Sequence, residues 1–352
     1  MLLERSEISP TEAIERLAGL QAQEPSPVFT GLWTRLADFD PAGFRRSALD
    51  RTVVRGTAMR GTLHLLTARD FPRIRPAVQD ALDRTSASTG GRAEDLDLDL
   101  LISRASELLT ETPRSMKDLI PLLAPDFPGA DGQELRHALR VKLPMVLVPD
   151  AGDPRGWKGN APFAVASDWI GGKPGKPLSK PDLARRYLAA FGPATPHDFG
   201  VWSGLPGVRG IFDRLRPDLI TFEDERGREL FDLPEAPRPG SHVTAPARFI
   251  PAFDNLTLSH DERDRIISPE DLKLVFSPNG RIPPMFLWDG FVAGVWRNES
   301  RGKEGLLELR PFRALPPEAK DELKREGRRL LEFLEPAATR GKVRFGAKLS
   351  RR

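Results

Sequence analysis

Apolar positions along the chain change their spacing near residue 239, from a mostly helical period before it to mostly alternating runs after it. Between residues 96 and 233 one pattern is written twice: helix, capped helix, helix, then two short strands around a polar loop. In the first copy residues 96–109 have the helical period, and Ser115 with Asp118 and Asp131 with Glu134 form capping pairs. Residues 145–148 and 163–166 then read as strands, around a loop at 150–160 rich in Gly and charge. In the second copy Ser179 with Asp182 opens a helix that ends at Gly192. Thr195, Pro196 and Asp198 open the next, residues 208–215 form the third, and 219–222 and 229–233 are strands turned at 224–227.

Three helices followed by a hairpin outline a winged helix-turn-helix, so the predicted fold class is α+β with tandem winged units. The chain divides into unit 1 at 1–90, unit 2 at 91–172, unit 3 at 178–236 and a last domain at 240–352, with residues 171–177 linking units 2 and 3. Unit 1 reads as a third copy: a helix at 11–20, a last helix at 41–49, and a wing of 53–60 and 62–66 hinged at Gly61. Only eight residues precede Ser9, so the unit is read as abbreviated or as beginning late. In the last domain, 247–253, 272–276, 284–288, 291–297 and 305–312 are strand-like, Asp289-Gly290 is a hairpin turn, and 316–334 is one charged helix. A small β-barrel or curled sheet with a packed helix is expected.

Composition narrows the chemistry. The 352 residues include no cysteine, which removes thiolate metal sites, disulfides and a cysteine nucleophile and fits a reducing cytoplasm. Five scattered histidines without an H-E-x-x-H spacing give no metal site, and no metal or cofactor is expected. No apolar run is long enough to cross a bilayer. The net charge of +3 is uneven: residues 1–90 carry 12 basic and 11 acidic side chains, 91–239 carry 20 and 23, and 240–352 carry 21 and 16. Residues 340–352 hold six basic side chains and no acidic one, the best electrostatic footprint for a polyanion.

The most informative polar residues lie where the first helix runs out. Ser9 and Glu12 make a capping box with Pro10 at the first helical position, and Ala13, Ile14, Leu17, Ala18 and Leu20 make the apolar stripe. At 3.6 residues per turn Gln21 falls inside that stripe, and an amide buried without partners costs about 1–3 kcal/mol. If the chain is instead extended from Gln21 onward, Gln21 and Gln23 point to one side, where two amides could hold one water.

The run from Gly19 to Pro25, with Met59-Arg-Gly-Thr-Leu-His-Leu65, resembles the winged-helix DNA glycosylases of the AlkZ and YcaQ type. Residues 249–255 and 286–290 are similar to later segments of that family. The family removes N7-alkylated purines and unhooks interstrand crosslinks, and carries a Gln-aliphatic-Gln or Gln-aliphatic-Asp motif, of which Gln21-Ala22-Gln23 matches the first form. The resemblance implies that Gln21 and Gln23 are the catalytic pair of a cytoplasmic, nucleoid-associated monomer acting on double-stranded DNA with alkylated purines. A purine alkylated at N7 already carries positive charge and leaves readily, so neutral amides that orient water and stabilise the oxocarbenium suffice. No lysine lies within the first 116 residues, which points to simple hydrolysis without a Schiff base.

Further candidates for contact with substrate or DNA are Arg60, Gly61 and Thr62 at the hairpin turn, and His64 on its second strand, able to reach lesion, phosphate or water. Asp254, Asn255, His260 and Arg263 form a polar loop between strands that is expected to line the DNA channel. The alternative is a non-enzymatic winged-helix DNA-binding protein or regulator, using a helix such as 131–141 in the major groove.

Overall fold

The computed structural model describes residues 1–88, 96–154, 156–172, 175–240, 242–276 and 282–349. Parts of the expected loop at 150–160, of the linker at 171–177 and of the end of the basic tail lie outside the described residues.

Units 1 and 2 share one sheet. Its strands are β1 (Leu20–Gln21), β2 (Val53–Thr57), β3 (Leu63–Thr67), β4 (Met145–Leu147) and β5 (Phe163–Val165), in the order β1-β3-β2-β4-β5 and all antiparallel. The hairpins expected as separate wings therefore join through β2 and β4, at Arg55 opposite Leu147 and Gly56 opposite Val146. Both faces are covered, and neighbouring residues of one strand serve different cores. Val53, Leu65, Met145 and Leu147 pack with Ile14, Leu101, Leu119 and Leu139, whereas Val54, Leu66 and Val146 pack with Phe71, Leu183, Tyr187 and Trp202. That two-sided burial is why apolar residues stand side by side in both strands, at Val53-Val54 and Leu65-Leu66. Gly56 is required in β2, because a Cβ there would stand 2.6 Å from the Phe71 ring and 2.7 Å from the Met145 carbonyl.

The helices of unit 2 follow their caps: Leu98–Glu111 from Asp97, Met116–Leu123 from Ser115, and Gly132–Lys142 from the Asp131–Glu134 box. Unit 3 has Lys180–Phe191 from Ser179, Pro196–Ser203 from the Thr195–Asp198 box and Arg209–Leu215, then β6 (Ile220–Glu223) paired with β7 (Glu229–Asp232). Unit 1 departs more from expectation. Its first helix is only Pro10–Arg16, and further helices occupy Ser26–Trp33, Phe71–Ala77 and Gln79–Ser88.

The C-terminal domain is an open sheet, not a barrel. β8 (Arg248–Ile250), β9 (Met285–Trp288), β10 (Phe291–Arg301), β11 (Glu304–Pro311) and β12 (Arg340–Phe345) run in the order β12-β11-β10-β9-β8. β12 is parallel to β11, so much of the expected basic tail is an edge strand, and Arg344 spends its charge on Glu308 at 2.8 Å. Residues 272–276, expected as a strand, are instead the end of the helix Pro269–Val275 and its C-cap Phe276; Ser268 caps the helix and Pro269 starts it, a local signal that outweighs a short apolar run. The Pro317–Leu334 helix lays Leu323, Leu330 and Leu331 on Phe249, Phe286 and Leu307. No described helix is long and apolar enough to cross a membrane.

Candidate active site at the edge of the central sheet

The first helix stops four residues earlier than its apolar stripe suggests, and the way it stops sets up Gln21. Ala18 (φ 50°) and Gly19 (φ 97°) are left-handed; the Gly19 N–H donates to Ile14 and the Ala18 N–H to Glu15, which is a Schellman ending. A Cβ at Gly19 would stand 2.6 Å from Leu66, so only glycine lets the turn lie on β3. The chain leaves it extended. Gln21 is therefore a strand residue on β1, opposite His64 of β3, rather than part of a helical stripe. It is half-buried, Ala22 is buried and Gln23 is exposed. Gln23 lies two residues on, in a bend just beyond the end of β1.

Regular pairing fails at Ala22, and two side chains take its place. Ala22 N–H donates to Leu63 at 2.8 Å, but the Ala22 carbonyl accepts from Arg55 Nε at 2.7 Å and the Gln23 carbonyl from the other end of that guanidinium at 2.8 Å. The Leu63 N–H, left over, donates to Gln23 Oε1 at 3.3 Å. Arg55 thus holds the backbone of the motif across two residues. Burial lowers its pKa to about 10, still far above neutral pH, so it stays charged. Arg55 is not among the residues that the sequence marks as functional; the signal it carries is an arginine directly after Val53-Val54 in a strand-like run.

Arg60 lies in the 3-10 turn Met59–Gly61 with φ 56°, followed by Gly61 at φ 72°. Its side chain does not reach outward as a wing tip. One guanidinium nitrogen donates to Gln21 Oε1 at 2.6 Å and another to the Trp202 carbonyl, tying the turn to the Pro196–Ser203 helix of unit 3. Because a guanidinium only donates, the Gln21 amide must present its oxygen to Arg60 and its NH2 elsewhere. Burial, then repulsion from Arg263, lowers the Arg60 pKa to about 10. Gly61 is exposed, and Thr62 donates its hydroxyl to Met59 at 3.2 Å. His64 is 2% exposed, with Nδ1 at 3.0 Å from the Thr62 carbonyl. Burial first and Arg60 second lower its pKa to about 3, against the opposing backbone bond to Thr62, so the ring is neutral at pH 7.

Asp254 and Asn255 are not arranged as groups lining an open channel; both are buried and committed to the protein. Asp254 receives both guanidinium nitrogens of Arg35, at 2.7 and 2.8 Å, and caps the short helix Asn255–Leu258. Asn255 donates to the carbonyls of Gly19 at 2.8 Å and Leu17 at 3.3 Å, so the C-terminal domain braces the turn that delivers Gln21. Burial dictated this use, since a charge in that position must be paired. His260 is likewise enclosed: Nδ1 lies 3.0 Å from Ser259 Oγ and Nε2 3.1 Å from both the Phe191 carbonyl and Arg265. Burial, then Arg265, lowers its pKa to about 4. Arg263 is half-buried, donates to the Thr257 and Asp261 carbonyls, lies over the Phe276 ring, and adds positive potential beside Arg60. The structure thus gathers Gln21, Gln23, Arg60, Gly61, Thr62 and His64 around one strand end, and sets Asp254 and Asn255 behind it.

The family model described as DNA glycosylase AlkZ-like matches residues 14–333. The interstrand DNA cross-link repair glycosylase of Streptomyces sahachiroi is 29% identical over 321 residues, 83% of each chain. The solved structure of DNA glycosylase AlkZ from Streptomyces sahachiroi shares the fold, with a TM-score of 0.80 at 22% identity over 98% of this chain and 95% of that one. This chain therefore belongs to the AlkZ-like DNA glycosylase family, enzymes that hydrolyse N-glycosyl bonds.

Proposed function

We propose that this glycosylase hydrolyses the bond between deoxyribose and N7-alkylated purines in double-stranded DNA, with Gln21 and Gln23 as the catalytic pair. The similarity to a cross-link repair glycosylase supports extending the substrates to purines joined across strands. The observation that carries the reading is the effort spent on this one motif: Arg55 holds its carbonyls, Arg60 fixes the Gln21 amide and Asn255 fixes the turn before it. Each amide oxygen keeps a second lone pair beyond the donor that orients it. With these the pair holds a water for C1′ and sets carbonyl dipoles toward the charge that develops on the sugar, with the geometry fixed beforehand.

Cleavage is monofunctional in this reading. The first lysine is Lys117, in the helix Met116–Leu123 of unit 2, and Gln21 has neutral His64 across from it rather than an amine. The protein acts as a monomer on duplex DNA, and its affinity is set by exposed cations rather than by the two amides. The test is single-turnover release of N7-methylguanine from a duplex, read as alkali-labile abasic sites. Strand breaks should appear only after alkali treatment; breaks before it would overturn simple hydrolysis.

A further inference from the structure

Among the groups around Gln21, His64 is the one whose chemistry is still unused. Ala22 and Leu63 flank the Gln21–His64 pair and are joined by a backbone hydrogen bond, so Gln21 and His64 occupy a non-hydrogen-bonded position of the ladder. Side chains stand closest there, on one face, with Cα atoms about 4.5 Å apart. Both glutamine oxygens already accept one hydrogen bond, Gln21 from Arg60 and Gln23 from Leu63. The Thr62 carbonyl can only accept, so the proton of the neutral imidazole sits on Nδ1, and Nε2 carries a lone pair. Nε2 has no protein partner among the described residues, yet it is not one of the unsatisfied atoms sealed from solvent. A fixed, unclaimed acceptor therefore stands across the strand pair from the first glutamine.

We propose that His64 is a catalytic residue, whose Nε2 accepts a hydrogen of the water held by Gln21 and Gln23. This rests on the glutamine reading above. In the step, the C1′–N9 bond breaks and its electron pair passes to the purine, cancelling the charge placed there by the N7-alkyl group. The water oxygen bonds to C1′, one of its hydrogens passes to Nε2, and the imidazolium returns that proton to solvent. A weak base is adequate, because water bonded to a cationic carbon becomes strongly acidic as the bond forms.

The competing role is a brace, in which only the Nδ1 bond to Thr62 matters. Asparagine keeps a donor where Nδ1 stands, so a brace predicts an active His64→Asn, whereas a base at Nε2 predicts that neither amide restores the rate. Excision of N7-methylguanine under single-turnover conditions and duplex affinity are measured for His64→Gln, His64→Asn, Gln21→Ala and Gln23→Ala. The expected result is that His64→Asn, which keeps a donor for the Thr62 carbonyl, and His64→Gln, whose amide cannot take up a proton, each lose about a hundredfold, with affinities unchanged. A parent rate for His64→Asn, or a fast His64→Asn beside a slow His64→Gln, overturns the assignment. If thermal unfolding shows either variant misfolded, His64→Gly with added imidazole decides: recovery of rate supports it and no recovery overturns it. Active glutamine variants would bring down the glutamine reading and this inference together, whereas inactive ones beside a fully active His64→Asn would remove His64 alone.

Discussion

Asp254→Ala tests whether the polar loop of the C-terminal domain is a brace or a DNA contact. Asp254 accepts two hydrogen bonds from Arg35 and one from the Leu256 N–H at 2.9 Å, with both side chains of the ion pair at most 3% exposed. Removing the carboxylate strands a buried guanidinium that keeps the Gly31 carbonyl, at 3.0 Å, as a partner. Breaking such a pair from one side costs about 3–5 kcal/mol, and loss of the helix cap adds about 1 kcal/mol. That is a large part of the roughly 5–15 kcal/mol that holds a typical domain folded. The double variant Arg35→Met/Asp254→Leu removes both charges and should recover most of the loss. Urea unfolding gives the stabilities, and fluorescence anisotropy against salt gives the number of phosphates neutralised by each folded variant. The salt slope should equal the parent's. A cost below about 1 kcal/mol for Asp254→Ala, or a changed slope in the double variant, would refute the brace.

Two other perturbations follow from the same contacts. Arg55→Lys cannot span the Ala22 and Gln23 carbonyls, held now at 2.7 and 2.8 Å, so single-turnover excision should fall about tenfold while duplex affinity stays within about twofold; a parent rate would show that the clamp does not position the motif. His64 and His260 have folded pKa values of about 3 and 4, below the ordinary 6.5, so the unfolded chain takes up protons first as pH falls. Their contribution is complete above pH 6.5 and is lost on acidification toward those values, by about 2 kcal/mol each between pH 7 and pH 5. Urea unfolding at both pH values should show the loss, and His64→Gln should cut it by about half; an unchanged loss in that variant would contradict a buried neutral His64.

What could be read from sequence was mostly what is local. The caps at Ser9, Ser115, Asp131, Ser179 and Thr195 all open helices, because a cap and its helix lie within four residues. The Asp289-Gly290 turn joins β9 to β10 with both residues at positive φ, for the same reason. The helix end at Arg16 was missed because Ala18, a good helix former, sits in the left-handed position that a Schellman ending usually gives to glycine. Pairing of β2 with β4 joins residues about ninety positions apart, and nothing local marks it. The glutamine motif stood out through its own residue types, but its supports did not. Arg55, Arg35 and Asn255 acquire meaning only when the fold brings their partners to them, and Arg35 and Asp254 are 219 residues apart. Burial also reversed the expected use of the Asp254-Asn255 pair, since polar side chains in sequence look alike whether they face DNA or a backbone carbonyl.

The most direct measurement is single-turnover excision of N7-methylguanine by Gln21→Ala and Gln23→Ala, with duplex affinity measured on the same preparations. Product release should be abolished in both, or reduced by at least about a hundredfold, while binding stays within about twofold of the parent. Excision at the parent rate, or a loss explained entirely by weaker binding, would contradict the assignment of the two amides to the chemical step.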